Sequence, residues 1–404
     1  MHASRLYILL VALLTTTVVA DSLHDNSAWS RRHRNRAIAR AQPNARATTP
    51  EVVAPPTKLL VASATASSSK AAVSTKASVS SDASTSTEAA SSSSKQAAAS
   101  STKSSTAAKS SSTESSTSSN TGGGALSLNA LFPAGTPGDS WSTSPKSSSA
   151  LSLSDATFQL TNLLSALTHT YMSAPDGKKA MQAIYPEGSY TFGHDPQGGF
   201  SFYAHGPSSL DMTKAKTLTL GYSVYFPEGF DFNIGGKLPG LYGGDSDEVA
   251  LSCSGGRRSV NCYSARFMFR ENGEGELYTY LPDPDVSGFA ANKAVCGIAG
   301  STCNPTYGAS VARGSWTFAT GGWTTISQRV QLNDAGQANG EIQVWANGKE
   351  VINVSGLKLR DSAAGRHRGI QMQTFFGGST PNYASPKTQE AYFSDFSVAI
   401  IDEL

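Results

Sequence analysis

No Cys-x-x-Cys pair, no His-Glu-x-x-His and no Gly-x-Ser-x-Gly occurs anywhere in the chain. Their absence removes the common zinc, dithiol-redox and serine-hydrolase readings. Gly235-Gly236-Lys237 is followed by Leu238 rather than Ser or Thr and lacks the upstream glycine of a phosphate loop. Charge of one sign is also scarce: the net charge is +2, which gives no bulk electrostatic argument for nucleic acid. Beyond the N-terminal region no apolar run approaches the ~20 residues needed to cross a bilayer. The Glu-x-Asp-x-x-Glu strand signature of jelly-roll glucanases is missing. Glu274 and Glu276 share a strand parity but read as residues in or beside a Gly-rich turn, so hydrolysis by paired carboxylates is disfavoured. Asp245-Ser246-Asp247-Glu248 reads as an acidic solvated loop, and neither a metal nor a cofactor is expected.

The 404 residues are not equally foldable. Residues 1–20 read as a secretory signal peptide: Arg5 precedes the apolar run Leu6–Leu14, and Val18-Val19-Ala20 supplies small residues for cleavage. That run is too short for a comfortable membrane anchor, so export without an anchor is expected. Residues 21–60 form a basic leader and candidate propeptide, with Ser30-Arg31-Arg32-His33-Arg34-Asn35-Arg36 as a processing site or a solvated charge run. Residues 61–124 are dominated by Ser, Thr and Ala. Such a segment buries too little apolar surface to offset chain entropy and is expected to be a disordered, stalk-like linker.

Residues 125–404 are expected to fold, with a core from about 180 to 400. Phe158, Leu160, Leu163, Leu164 and Leu167 follow Asp155 at a spacing that predicts one amphipathic helix running to about Met172. Further on, alternation takes over. Residues 199–204, 218–226, 263–270, 323–332, 341–345, 349–354, 370–376 and 391–400 read as strands, and Asn347-Gly348 marks a hairpin. Many antiparallel strands joined by Gly/Pro/Asp turns predict an all-β fold, a β-sandwich of the β-jelly-roll type.

In an exporting context the four cysteines are expected to pair. Three pairings are possible, and two local bridges, Cys253–Cys262 and Cys296–Cys303, are the simplest. Asn353-Val354-Ser355 is a sequon, so Asn353 is a candidate glycosylation site.

Side chains of a strand alternate between faces. In 263–270 that puts Tyr263, Ala265, Phe267 and Phe269 on one side, and Ser264, Arg266, Met268 and Arg270 on the other. Asn272-Gly273-Glu274-Gly275 reads as a hairpin connection, which sets Tyr278 and Tyr280 beside Ser264 and Arg266 on one concave face. Each motif alone has a bland reading. A Gly-flanked lysine is usually a solvated turn residue, a Tyr-x-Tyr pair usually packs, and Arg266 with Arg270 suits a salt-bridge ladder.

Taken together and in order, Lys237-Leu238-Pro239-Gly240-Leu241-x-Gly243-Gly244, Ser264-Ala265-Arg266-x-Met268-x-Arg270 and Tyr278-x-Tyr280 resemble polysaccharide lyase family 14. The resemblance spans roughly residues 180–400. It implies a β-jelly roll, cleavage of a uronic-acid glycan by β-elimination, and functional positions at Lys237, Ser264, Arg266, Tyr278 and Tyr280. The cysteine-flanked insertion before the Ser-x-Arg strand varies the pattern.

The residue types suit that chemistry. Removing the C5 proton of a uronate builds charge towards its carboxylate, so a fixed cation there stabilises the transition state. Arg266 offers a planar, permanently charged fork, with Ser264 as a lesser donor. A tyrosine beside cations is expected to transfer the proton, its phenolate favoured by the positive charge. Lys237 neutralises charge or acts as base. Arg270, Gln371 and Gln373 are expected to bind sugar, with Trp345 and His194 as weaker subsite candidates. The expected partner is an acidic polysaccharide, and a monomer is expected. Two other readings stay open: a non-catalytic carbohydrate-binding sandwich, and a jelly-roll glycoside hydrolase.

Overall fold

The computed structural model describes residues 127–404; the segments read as signal peptide, basic leader and Ser/Thr/Ala-rich linker lie outside the described residues. The described chain is almost wholly β. Its strands are β1 (Ser140–Ser142), β2 (Leu160–Thr161), β3 (Thr170–Ser173), β4 (Lys179–Tyr185), β5 (Phe200–Ala204), β6 (Ala215–Phe226), β7 (Gly235–Gly244) and β8 (Cys262–Arg270). They continue with β9 (Glu274–Tyr280), β10 (Thr302–Cys303), β11 (Ala309–Thr317), β12 (Gly322–Gln331), β13 (Gly340–Ala346), β14 (Lys349–Leu357), β15 (Arg366–Phe376) and β16 (Gln389–Glu403).

These form two eight-stranded antiparallel sheets, the sandwich expected of a jelly roll. One runs β14-β13-β12-β6-β16-β4-β3, with β1 added on β16; the other runs β10-β11-β9-β8-β7-β15-β5-β2. Strict alternation explains how they meet. Leu218, Leu220, Tyr222, Val224 and Phe226 of β6 turn inward against Phe267 and Phe269 of β8, Leu277 of β9 and Ile370 and Met372 of β15. Burying each such side chain contributes roughly 1.5–3 kcal/mol. Asn347-Gly348 closes the β13–β14 hairpin as the sequence predicts.

Two sequence expectations fail. The helix predicted from Asp155 to Met172 is a single turn, Asp155–Phe158. Gln159 and Asn162 adopt positive φ (48° and 51°), which ends the helix, and the following residues form β2 and later β3. The apolar spacing arises from separate contacts: Phe158 packs edge-on against Phe396 at 5.0 Å, whereas Leu163 is 47% exposed.

The second failure concerns Lys237, which is not in a turn. Gly235–Gly244 is a ten-residue strand inside the second sheet, between β8 and β15. A proline is tolerated there because the strand bulges around it: the β7–β8 register shifts between Leu238 and Gly240. The extra residue also changes which parity faces the core. Leu238 and Leu241 both point inward, so Lys237 and Tyr242 share the opposite face.

Candidate active site

The face of the second sheet turned away from the core gathers nearly every residue that the sequence nominated. In the β8–β9 ladder Ser264 stands opposite Tyr280, Arg266 opposite Tyr278 and Met268 opposite Glu276. On the other side of β8, Lys237 is the register partner of Met268, and Gly240 that of Arg266. Beyond β7, Phe375 pairs with Lys237 and Gln371 with Gly240. Parity therefore brings Lys237, Ser264, Arg266, Arg270, Tyr278, Tyr280, Gln371 and Gln373 to one surface.

Lys237 lies at the centre. Its Nζ is 3.7 Å from the centroid of the Tyr278 ring and donates to Met268 Sδ at 2.8 Å. Burial, and then the guanidinium groups of Arg266 and Arg270, push its pKa well below the ordinary lysine value; Glu276 opposes the shift only in part. The aromatic face below Nζ favours the ammonium form, against the direction set by burial and the two guanidiniums.

Arg266 is 2% exposed, with its guanidinium carbon 5.8 Å from the Tyr280 ring. Its Nη1 donates to Gln373 Oε1 at 2.8 Å, and its Nε has no partner. Gln371 Nε2 donates to the same Gln373 oxygen at 2.8 Å and to Tyr203 Oη at 3.2 Å, while Gln373 Nε2 donates to Ser201 Oγ at 2.9 Å. One side-chain network thus runs from β8 to β5.

The two tyrosines meet edge to face at 5.6 Å. The phenolate-favouring effect expected of nearby cations does not hold for Tyr278. Burial first, and then Tyr280, raise its pKa, and Arg270 offsets this incompletely. Tyr278 keeps its proton. Tyr280 Oη accepts the backbone N–H of Gly256 at 3.2 Å, and Ser264 Oγ donates to the Cys253 carbonyl at 2.7 Å. Both disulfides have the local pairing, Cys253–Cys262 and Cys296–Cys303.

Arg270 turns out to be an ion-pair partner. Its Nη2 reaches Glu276 Oε1 at 2.5 Å, and the other Glu276 oxygen accepts from Ser310 Oγ at 2.5 Å and Arg313 Nε at 2.8 Å. Burial works against ionising Glu276, yet Arg270, Ser310 and Arg313 overcome it and hold its pKa below the usual carboxylate value. Sequence reasoning set Glu276 aside as a turn residue. Its parity with Tyr278 and Tyr280 was the signal that it belongs to this face.

Two nominees stand apart. Trp345 lies on β13 of the first sheet; its half-buried neighbours in parity are Glu341 and Gln343, while Ile342 and Val344 face the core. It therefore occupies the outer face of the opposite sheet, away from Lys237. His194 is exposed, stacked on Tyr190 at 4.2 Å and bonded through Nδ1 to Thr191 Oγ1 at 2.8 Å. Its loop meets the Lys237 end of β15 through Phe192, 4.3 Å from Phe375, and through the Thr191 N–H, which donates to Phe376 O at 2.8 Å. Asn353 is exposed on β14. Among the described residues no helix is long and apolar enough to cross a membrane.

A long antiparallel sheet carrying a lysine, two guanidiniums and two phenols on one buried polar face is an arrangement for acid–base work on an anionic ligand. Residues 173–396, more than half of the chain, match the family described as Polysaccharide lyase 14, and the chain belongs to that family. It is a polysaccharide lyase. Among solved structures it is similar to the marine PL-14 alginate lyase from Aplysia kurodai, with 34% identity, 65% of this chain and 98% of that one covered, and a TM-score of 0.53. It is also similar to alginate lyase vAL-1 from Chlorella virus, with 24% identity, 68% and 98% covered, and a TM-score of 0.49. The endo-β-1,4-glucuronan lyase from the fungus Trichoderma reesei also matches, at 9% identity, with 58% of this chain and 86% of that one covered and a TM-score of 0.37. A search of curated proteins finds no match.

Proposed function

We propose that this enzyme cleaves a uronic-acid polysaccharide, alginate or polyglucuronate, by β-elimination on the Lys237 face of the second sheet. The observation that carries the reading is Lys237 itself. A buried amine whose pKa is pushed well down by burial, Arg266 and Arg270 is a base available at ordinary pH. The 34% identity to an alginate lyase from Aplysia kurodai supports the substrate class.

The substrate carboxylate binds at Arg266, whose Nε has no protein partner and whose desolvation goes uncompensated until an anion arrives. Gln373 holds the other side of that guanidinium, and Gln371 holds Gln373. Neutralised in this way, the carboxylate accepts the charge that develops as C5 loses its proton to Lys237 Nζ. The C4–O bond then breaks, the C4–C5 double bond forms, and the leaving oxygen takes a proton from Tyr280. Tyr278, kept protonated by burial, braces Lys237 from below. Proton exchange with water returns Lys237 and Tyr280 to their starting states.

Two disulfides and the signal-like N-terminus support action outside the cell. The test is incubation of the purified protein with alginate, polyglucuronate and a neutral glucan, following the ultraviolet absorbance of the unsaturated uronate product. Elimination raises the absorbance on a uronate polymer and not on the glucan; no rise on either uronate polymer rejects the reading.

A further inference from the structure

The chain holds one sequon, Asn353-Val354-Ser355; in Asn304-Pro305-Thr306 the middle position is barred by proline. The sequon lies on β14, which ends the first sheet. β13 flanks it on one side, and among the described residues no strand pairs with its other edge. Ile352 and Val354 turn into the core, 2% and 6% exposed, so Asn353 and Ser355 stand exposed on the outer face. Lys349 and Glu350 charge the start of the strand. Just past its end Asn292 accepts the Lys358 N–H at 2.8 Å and donates to Lys358 O at 2.9 Å. Between these points runs Val351-Ile352-Asn353-Val354-Ser355-Gly356-Leu357, with no charge and no proline. An uncharged edge rich in β-branched residues is a template for strand addition, and natural sheets blunt such edges with a charge, a proline or a cover.

We propose that Asn353 carries an N-linked glycan and that this glycan keeps the free edge of β14 from pairing with a second copy of the chain. Such a modification requires the export proposed above and none of the elimination chemistry, since β14 belongs to the sheet opposite Lys237. In the transfer, Asn353 Nδ2 bonds to C1 of a sugar carried on a polyprenyl pyrophosphate. The C1–O bond breaks, the pyrophosphate leaves with the electron pair, and Nδ2 gives up one proton. Its other hydrogen stays, so the 3.2 Å bond from Nδ2 to Glu350 Oε1 survives modification. A strand added to this edge would bring a Cβ to about 4.5–5.5 Å from that of Asn353, the spacing of directly opposed residues. A sugar joined at Nδ2 occupies that space.

The experiment uses the full chain with its own N-terminus, expressed in a eukaryotic host and collected from the medium. Release by a peptide N-glycosidase, followed by mass spectrometry, is expected to map one glycan to Asn353. Asn353→Gln and Ser355→Ala are each expected to abolish it. Association is then read by size-exclusion chromatography with light scattering on concentrated, warmed samples. Asn353→Gln is expected to lose monomer several-fold faster than the wild type. Asn353→Lys also lacks the glycan but sets a charge at the same edge position, and it is expected to restore the monomer. That rescue separates edge blocking from a general solubilising effect of sugar. If Asn353→Gln is retained in the cell as aggregate while Asn353→Lys is secreted as monomer, the result is the same; failure of both overturns the edge role. An exported wild type without sugar at Asn353 overturns the inference, as does an Asn353→Gln variant that stays monomeric as long as the wild type. A chain that is not exported overturns the extracellular reading and this inference with it.

Discussion

Arg266 and Gln373 are joined by a 2.8 Å hydrogen bond although β7 lies between their strands. Between them β7 presents Gly240, the register partner of Arg266, where only glycine allows so close an approach to β8. A Cβ there would lie 2.1 Å from Ala265 O and 2.5 Å from Arg266 Cα. Gln373 thereby orients the guanidinium assigned to the substrate carboxylate. Gln373→Ala is expected to reduce kcat/KM roughly tenfold, about 1.4 kcal/mol of transition-state binding. Steady-state kinetics on a uronate polymer check this; an unchanged kcat/KM would show that Arg266 needs no support.

Lys237 should combine a functional gain with a structural cost. Lys237→Met is expected to lower kcat by roughly 10²- to 10⁴-fold, the range for loss of a general base. The same change should stabilise the fold. Because the folded-state pKa is depressed, the unfolded chain binds a proton more readily, and stability is lost as pH falls below the ordinary lysine value of ~10.4. Methionine removes that penalty, and a gain on the order of 1 kcal/mol corresponds to about 2–4 °C in Tm. Thermal unfolding at neutral pH reads it directly, and a fall in Tm would contradict a depressed lysine.

The acid limb of activity follows from the same residue. The rate should rise with pH as Lys237 loses its proton and level off well below pH ~10.4. A pH profile of kcat whose acid limb extends up to the ordinary lysine range would exclude Lys237 as the base.

Acid stability has a separate origin in His367, fully buried with Nδ1 bonded to Tyr263 Oη at 2.5 Å and Nε2 3.3 Å from Lys216 O. Burial lowers its pKa to about 4. The unfolded histidine takes a proton near pH ~6.5, so stability is full above that pH, falls as pH drops towards about 4, and loses on the order of 3 kcal/mol. Denaturant unfolding at pH 7 and pH 4.5 measures the slope. His367→Leu should flatten it even though the variant is less stable throughout.

Glu276 is fully buried beneath two arginines, and removing it leaves both without their carboxylate. Glu276→Ala is expected to cost about 3 kcal/mol or more, whereas Arg313→Ala, at a side chain 42% exposed, should cost under ~1 kcal/mol. Comparable losses in chemical denaturation would show that the exposed pair matters as much as the buried one.

The β8–β9 hairpin was legible in the sequence because its period-two alternation is uninterrupted: Ser264, Arg266, Tyr278 and Tyr280 fall on one face by counting alone. β7 was not. Seven of its ten positions besides Lys237, Leu238 and Leu241 include five glycines, a proline and a tyrosine, which read as a turn; only the flanking strands β8 and β15 make it extended. The bulge at Pro239 then alters the parity, so no count along 235–244 would have put Lys237 and Tyr242 on one side. Trp345 was misassigned for a related reason. Alternation tells which face of a sheet a residue takes but not which of two sheets its strand joins.

The face proposed to react is already buried before any sugar arrives: Lys237, Arg266, Tyr278 and Tyr280 are each at most 9% exposed. Water has been stripped from these groups during folding, so an incoming glycan need not dehydrate them at each turnover. The enzyme therefore carries its catalytic demand as a standing tension within the folded state. Its most effective residues should be the ones whose removal makes the molecule hardest to melt.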